Sequence, residues 1–236
     1  MLTTPSTLPA PQFQEIDPSR PAGAQIFDAL KTSILKMDLE PGAFISESDI
    51  GAKFGASRTP VREAFMQLRE AGLVTTRPSR GNFVTKLNSE KILEARYLRE
   101  ALEVANVGAL CRDGLSTEFR QKLSETLKQQ SDAIKSQNKL DFQRLDDEFH
   151  LTMALATGYE RPAKVLAREK MLLDRLRVLS LNQETHLKTL LWEHQVILTA
   201  LIAKDAAKAT HTTRKHLSSV LNTLSKLRET HEEYFD

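Results

Sequence analysis

Three histidines and one aspartate offer this chain its most specific chemistry. Asp146 and His150 stand four residues apart in a run that also carries Phe142, Leu145, Phe149 and Met153. At helical spacing both polar side chains share the face that those apolar residues bury. His194 falls on the stripe Leu190, Leu191, Ile197, Leu198 and Leu201, and His216 on the stripe Ala209, Leu217, Val220 and Leu224. Midway between them lies the expected turn Lys204-Asp205, with Asp205 as cap of the following helix. An antiparallel pair would therefore bring His194 and His216 level. Burying three imidazoles and a carboxylate without a common partner is costly. Together they form a donor set for a divalent transition metal, zinc first, with nickel, manganese, cobalt or iron as alternatives. His186, His211 and His231 lack such a setting and are read as surface residues.

A second chemistry sits in S57-R-T-P-V-R-E-A-F65. Arg58 and Arg62 share one side of a helix start, where the macrodipole is already positive, so internal packing gives no reason for them. On a helical wheel Arg58, Arg62 and Arg69 fall within about 40° of one another. That basic edge suits DNA: arginine pairs bidentately with guanine edges in the major groove. Ser57, Thr59 and the free N-H groups of the first turn suit a phosphate.

These residues need elements to hold them. Ile26, Leu30, Ile34 and Leu35 mark a first helix, stopped by Pro41-Gly42. A short helix from about 46 to 54 follows. A turn at Gly55-Ala56 leads into a third helix capped by Ser57 or Thr59, with Val61, Ala64, Phe65 and Leu68 buried and Gly72 at its end. Two short β-like runs, 73–77 and 82–87, are joined by Pro78-Ser79-Arg80-Gly81. Arg80 and Gly81 at that tip put a cation and a bare backbone where a minor groove or phosphate passes, as in a winged helix-turn-helix. From Ser89 onward only helical periods remain. Six helices are expected, at about 89–112, 116–136, 139–157, 162–181, 185–203 and 206–231, in an antiparallel all-α bundle.

Composition limits the alternatives. The 236 residues suffice for two domains. The formal charge is only +2, yet from Asp49 to Lys86 seven Lys/Arg face three acids, so nucleic-acid contact is local. A lone cysteine, Cys111, excludes an intrachain disulfide and fits the cytoplasm. No signal peptide or membrane span is read. Residues 1–20 hold four of the nine prolines and read as a disordered tail; 21–87 form the DNA-binding domain and 89–236 the helical one.

The run from Pro41 to Val84, with its SRTPVREA core and its wing R-G-N-F-V, resembles the GntR family of bacterial transcription regulators. The resemblance implies that Arg58 and Arg62 read or clamp operator DNA, that Ser57 and Thr59 support them, and that Arg80 and Gly81 work in the wing. Two positions depart from the family pattern: Met37 stands where glycine is usual, and Ile50-Gly51 replaces Leu-Ala. R99-E-A-L-E103, D146-D-E-F-H150, the segment from Glu193 to Asp205, and His216-Leu217 resemble the FCD ligand-binding domain of the FadR subclass, with six helices as in its VanR branch. In metal-containing members the ligands match Asp146, His150, His194 and His216, and Arg99 matches an arginine that faces a bound acid. On spacing alone Arg99 pairs equally well with Glu103 at i+4.

The expected function is a homodimeric, metabolite-responsive regulator, a repressor more often than an activator. It would bind a palindromic operator and sense a small organic acid beside the metal. A metal sensor and a metal-dependent hydrolase are the alternatives. The hydrolase would need a general acid or base, and Asp147 and Glu148 are expected to point away from the site.

Overall fold

The computed structural model describes residues 16–180 and 184–236. Its contacts divide the chain into two compact units, one running through Asn88 and including His231–Asp236, the other Ser89–Thr230. The tail expected over 1–20 falls largely on residues 1–15, outside the described part. Residues 16–20 form a turn in which the Gln25 side chain donates to the Asp17 and Arg20 carbonyls.

In the first unit, α1 (Ala22–Leu35) lays Ile26, Leu30 and Ile34 against α3 (Arg58–Glu70). Between them in the chain comes α2 (Glu47–Phe54), packed on α3, whose Ser46 cap accepts from the Asp49 N-H and whose Gly55 turns left-handed at φ 60° to release the chain into α3. Ile50, Phe54, Val61, Ala64, Phe65 and Leu68 complete one apolar core with Leu73, Val74 and Val84. The wing is β2 (Val74–Arg77) against β3 (Gly81–Val84), both shorter than the sequence suggested. A third strand, β1 (Phe44–Ile45), pairs antiparallel with β3 and gives the sheet order β1-β3-β2. Two residues are too few to show a strand's alternation, so β1 leaves no periodic signal.

Among its described residues the second unit has the six expected helices: α4 (Ser89–Asp113), α5 (Thr117–Lys135), α6 (Lys139–Ala156), α7 (Glu160–Ser180), α8 (Glu184–Ile202) and α9 (Ala206–Thr230). Phe149, Met153, Ile197, Leu201 and Ala209 lie in one core with Val107, Leu110 and Leu123, which locks α6, α8 and α9 onto α4 and α5. The α8–α9 turn forms as expected. Lys204 takes φ 56°, and Asp205 Oδ1 accepts from the Lys208 N-H at 2.9 Å, capping α9. Cys111 is buried and free.

Candidate functional site

In the first unit the residues expected to meet DNA lie on α3 and at the wing tip. Ser57, Arg58, Thr59, Arg62 and Arg80 are all exposed, and Gly81 is half-buried. Ser57 is the N-cap of α3 but accepts no side-chain cap hydrogen bond. Arg62 pairs with Glu47 at 4.0 Å and in solvent, a pairing too weak to hold it from a phosphate or base.

The wing tip is a tight turn. The Arg80 N-H donates to the Arg77 carbonyl at 3.0 Å, Pro78 supplies the fixed φ, and Ser79 takes φ 60°. Gly81 follows at φ 94°, and a Cβ there would lie 2.7 Å from Phe44 Cε2. Two residues that sequence reasoning did not reach tie the wing to α2: Asn82, buried, accepts from Thr76 Oγ1 at 2.6 Å and donates to Glu47 Oε1 at 3.1 Å. Glu47 thus stands between the wing and Arg62.

In the second unit Asp146, His150, His194 and His216 do converge, all four buried, each offering a ligand atom within 4.8 Å of the others. His150 Nε2 lies 3.1 Å and His194 Nε2 3.3 Å from His216 Nε2. Asp146 Oδ1 is 3.5 Å from His194 Nε2, and Oδ2 is 3.9 Å from His150 Nε2. Ligand bonds of about 2.0–2.1 Å in a tetrahedron put neighbouring donors about 3.3 Å apart, so these separations fit a shared ion.

The outward nitrogens explain why the inner ones face one another. His194 Nδ1 meets Gln130 Oε1 at 3.0 Å, and His216 Nδ1 meets Glu193 Oε2 at 3.0 Å. His150 Nδ1 lies 2.6 Å from Glu103 Oε2, at hydrogen-bond distance but without hydrogen-bond alignment. An acceptor at Nδ1 fixes the tautomer that donates there and leaves the Nε2 lone pair turned inward. Three inward lone pairs cannot satisfy each other. A cation can.

Charge favours the same arrangement. Burial and the neighbouring His216 hold His194 well below the ordinary histidine range, and burial lowers His216, so both are neutral at pH 7, the form able to donate to a metal. For Asp146, burial works to raise the pKa. Arg177 and the three histidines outweigh it and hold the carboxyl well below the usual range. Arg177 on α7 contacts Asp146 and donates to Asp147 at 2.6 Å; Lys170 reaches Asp147 at 2.7 Å and Asp174 at 3.2 Å. Asp147 therefore belongs to an ion network, and Glu148 pairs with Arg144 at 3.1 Å.

Arg99 Nε donates to Glu103 Oε1 at 2.8 Å, the i+4 pair, and the same arginine lines two cavities beside the cluster. One, of about 50 Å³, also meets Arg96, Asp146, Arg177, His186 and His216. The other, of about 440 Å³, meets Glu103, Arg144, His150 and Lys170. His186 corrects a surface expectation: it is half-buried, because it lines the wall of the smaller cavity together with Asp146, Arg177 and His216. His231 is half-exposed and stacks on Tyr234, 4.8 Å between centroids, while His211 is exposed. Gln130 and Arg177 were not singled out in the sequence, and Glu103 and Glu193 were named there only as the i+4 partner of Arg99 and as the start of a matched segment, not as partners of the histidines. Gln130 alone carried a signal, a polar residue on the buried stripe Leu123, Leu127, Ile134 of α5.

Comparison with known proteins matches the same two regions. Residues 22–84 match the family "Bacterial regulatory proteins, gntR family", and residues 93–219, over half of the chain, match the FCD domain. The chain belongs to the GntR family. This GntR-family protein is 28% identical to the HTH-type transcriptional repressor RspR of Escherichia coli strain K12, over 94% of this chain and 96% of that one. It is 31% identical to an HTH-type transcriptional regulator from an unstable DNA locus of Streptomyces ambofaciens, over 89% and 88%. A solved GntR structure from Rhodococcus sp. RHA1 shares the fold, with a TM-score of 0.74 at 23% identity, over 86% of this chain and 97% of that one. The protein is therefore a transcription regulator with a DNA-binding helix-turn-helix and an FCD effector domain, not an enzyme, and the hydrolase alternative falls away. Among the described residues no helix is long and apolar enough to cross a membrane.

Proposed function

We propose that this regulator is a cytoplasmic, homodimeric repressor that binds a palindromic operator and is released by a small organic acid bound beside a zinc-class metal. The six-helix bundle supports a place in the VanR branch. The observation that carries the reading is the buried donor set of Asp146, His150, His194 and His216, whose spacing fits one ion and whose flanking cavities are lined by cations, Arg99 among them. A metal there supplies a Lewis-acid contact able to take a ligand's carboxylate.

The chain's own residues do the rest. Glu103, Gln130 and Glu193 orient the imidazoles; Arg177 holds Asp146 ionised; Arg99 meets the acid at the cavity wall. In the DNA-binding unit Arg58 and Arg62 enter the major groove with Ser57 and Thr59 on the phosphates, and Arg80 with Gly81 follows the adjacent groove. One winged helix covers one half-site, which is why a two-fold operator and a dimer belong together.

Fluorescence anisotropy against DNA from the protein's own upstream region tests this, with a panel of small carboxylates before and after chelation and Arg62→Ala as control. The expected result is tight, salt-sensitive binding that Arg62→Ala loses and that one acid releases only from metal-loaded protein. Release by chelation alone, with every acid inert, would make the protein a metal sensor instead.

A further inference from the structure

The DNA-binding unit is not built from one continuous stretch. Its last piece, His231–Asp236, comes from beyond α9, so the chain passes between the units twice, at Asn88–Ser89 and at Thr230–His231. The returning residues are docked by main-chain bonds. The Leu87 N-H donates to the Tyr234 carbonyl at 2.8 Å, and the Asp236 N-H donates to the Leu87 carbonyl at 3.1 Å, a parallel bridge between Leu87 and Phe235. Lys86 Nζ donates to the Phe235 carbonyl at 3.0 Å. Leu87, Tyr234 and Phe235 are buried. The Tyr234 hydroxyl is hydrogen-bonded to Glu40, and burial together with that carboxylate pushes the phenol up to about 12.

The place of docking is the root of the wing. Val84, the last residue of β3, exchanges main-chain bonds with Gly42 and Ala43 at 2.9 and 2.8 Å, and the Thr85 N-H donates to the Leu73 carbonyl at 3.0 Å. Leu87 is three residues on, and Glu40 immediately precedes the Pro41-Gly42 turn that feeds β1. The docked segment therefore grips both chain ends that anchor β1 and β3. At its other end it continues from α9, the helix that carries His216.

We propose that His231–Asp236 is a strap: the wing-root surface formed by Glu40, Lys86 and Leu87 is a docking site for the chain's own segment after α9, and through it α9 relays metal occupancy at His216 to the wing. The docking half stands on the bonds above; the relay half rests on the reading of the histidine cluster as a metal centre. Sequence periodicity misses the strap because six residues without a helical or alternating pattern give no element to read.

The test inserts six Gly/Ser residues between Thr230 and His231 in the full chain, leaving the strap present and the mechanical link slack. Three quantities are compared with the parent protein: zinc bound per chain, hydrogen exchange at the Leu87 amide, and operator affinity with zinc and with chelator. The parent protein should bind zinc, protect Leu87 and shift its operator affinity at least fivefold between the two conditions. The insertion should keep the zinc and the protection and lose the shift. A second variant ending at Thr230 should expose the Leu87 amide and weaken operator binding about tenfold. An insertion variant that keeps the full shift, or zinc binding by the parent protein with no shift at all, overturns the relay. A Leu87 amide that exchanges in the parent protein as fast as in the truncated one overturns the docking. Failure of the parent protein to bind zinc would instead overturn the metal centre, and the relay with it, while the Leu87 measurement still decides the docking.

Discussion

Glu193→Gln isolates what the residues behind the proposed metal site contribute. Glu193 is buried, and its Oε2 accepts the His216 Nδ1 proton at 3.0 Å. Glutamine keeps the shape and an acceptor oxygen but removes the charge. A hydrogen bond to a charged group is worth about 1.5–3 kcal/mol net, against about 0.5–1.5 for a neutral one, so the change weakens support for His216 by about 1–1.5 kcal/mol. Since about 1.4 kcal/mol is a factor of ten, zinc affinity should fall about tenfold. Glu193→Ala, which also leaves Nδ1 without an acceptor, should approach the hundredfold loss typical of an absent outer partner. The assay is competition for zinc against a chromophoric chelator, with circular dichroism to confirm the helices. Gln130 already backs His194 with a neutral amide, so Gln130→Ala should cost less than Glu193→Ala. Zinc affinity in Glu193→Gln within twofold of the parent protein would refute the idea that Glu193 tunes the cluster through its charge.

Three further outcomes follow from the geometry. Met37 takes φ 65°, a region that costs a residue with a side chain about 1–2 kcal/mol, and glycine's greater chain entropy offsets about 0.5–1 kcal/mol of that, so Met37→Gly should raise the urea midpoint by the equivalent of about 0.5–1 kcal/mol. Gly81→Ala should lower operator affinity about tenfold, as φ 94° and the 2.7 Å approach to Phe44 force the wing tip to move; the helical unit's zinc affinity should stay unchanged. Chelated protein should lose stability as pH falls below about 6.5. His194 and His216 have depressed pKa values when folded, so the unfolded chain takes up their protons first, at up to about 1.4 kcal/mol per pH unit for each histidine. Urea unfolding from pH 8 to pH 5 checks this, and a profile flat down to pH 5 would show that those histidines are not held neutral.

The sequence carried the architecture further than it carried the site. Apolar stripes such as Phe142, Leu145, Phe149 and Met153 repeat at the helical period for several turns, so the six bundle helices were legible to within a few residues of their ends. The same stripes exposed Asp146, His150, His194 and His216, because a polar residue on a buried face stands out. Their outer partners were not legible. Glu103 and Glu193 look like ordinary helix-surface acids, and only the packing of α4 and α8 turns them inward. Asn82 and Glu47 are joined across 35 positions by one hydrogen bond, and His231–Asp236 returns to Leu87 across still more chain. Such pairings depend on tertiary placement and leave no local pattern.

The proposed metal centre is tested most directly by the metal content of the purified protein, measured by mass spectrometry of the bound metal after exhaustive dialysis and zinc loading, for the parent protein and for His194→Ala. Such a centre predicts about one zinc per chain in the parent protein and a large loss in His194→Ala, with both still binding operator DNA. A full equivalent retained in His194→Ala, or none in the parent protein, would contradict it.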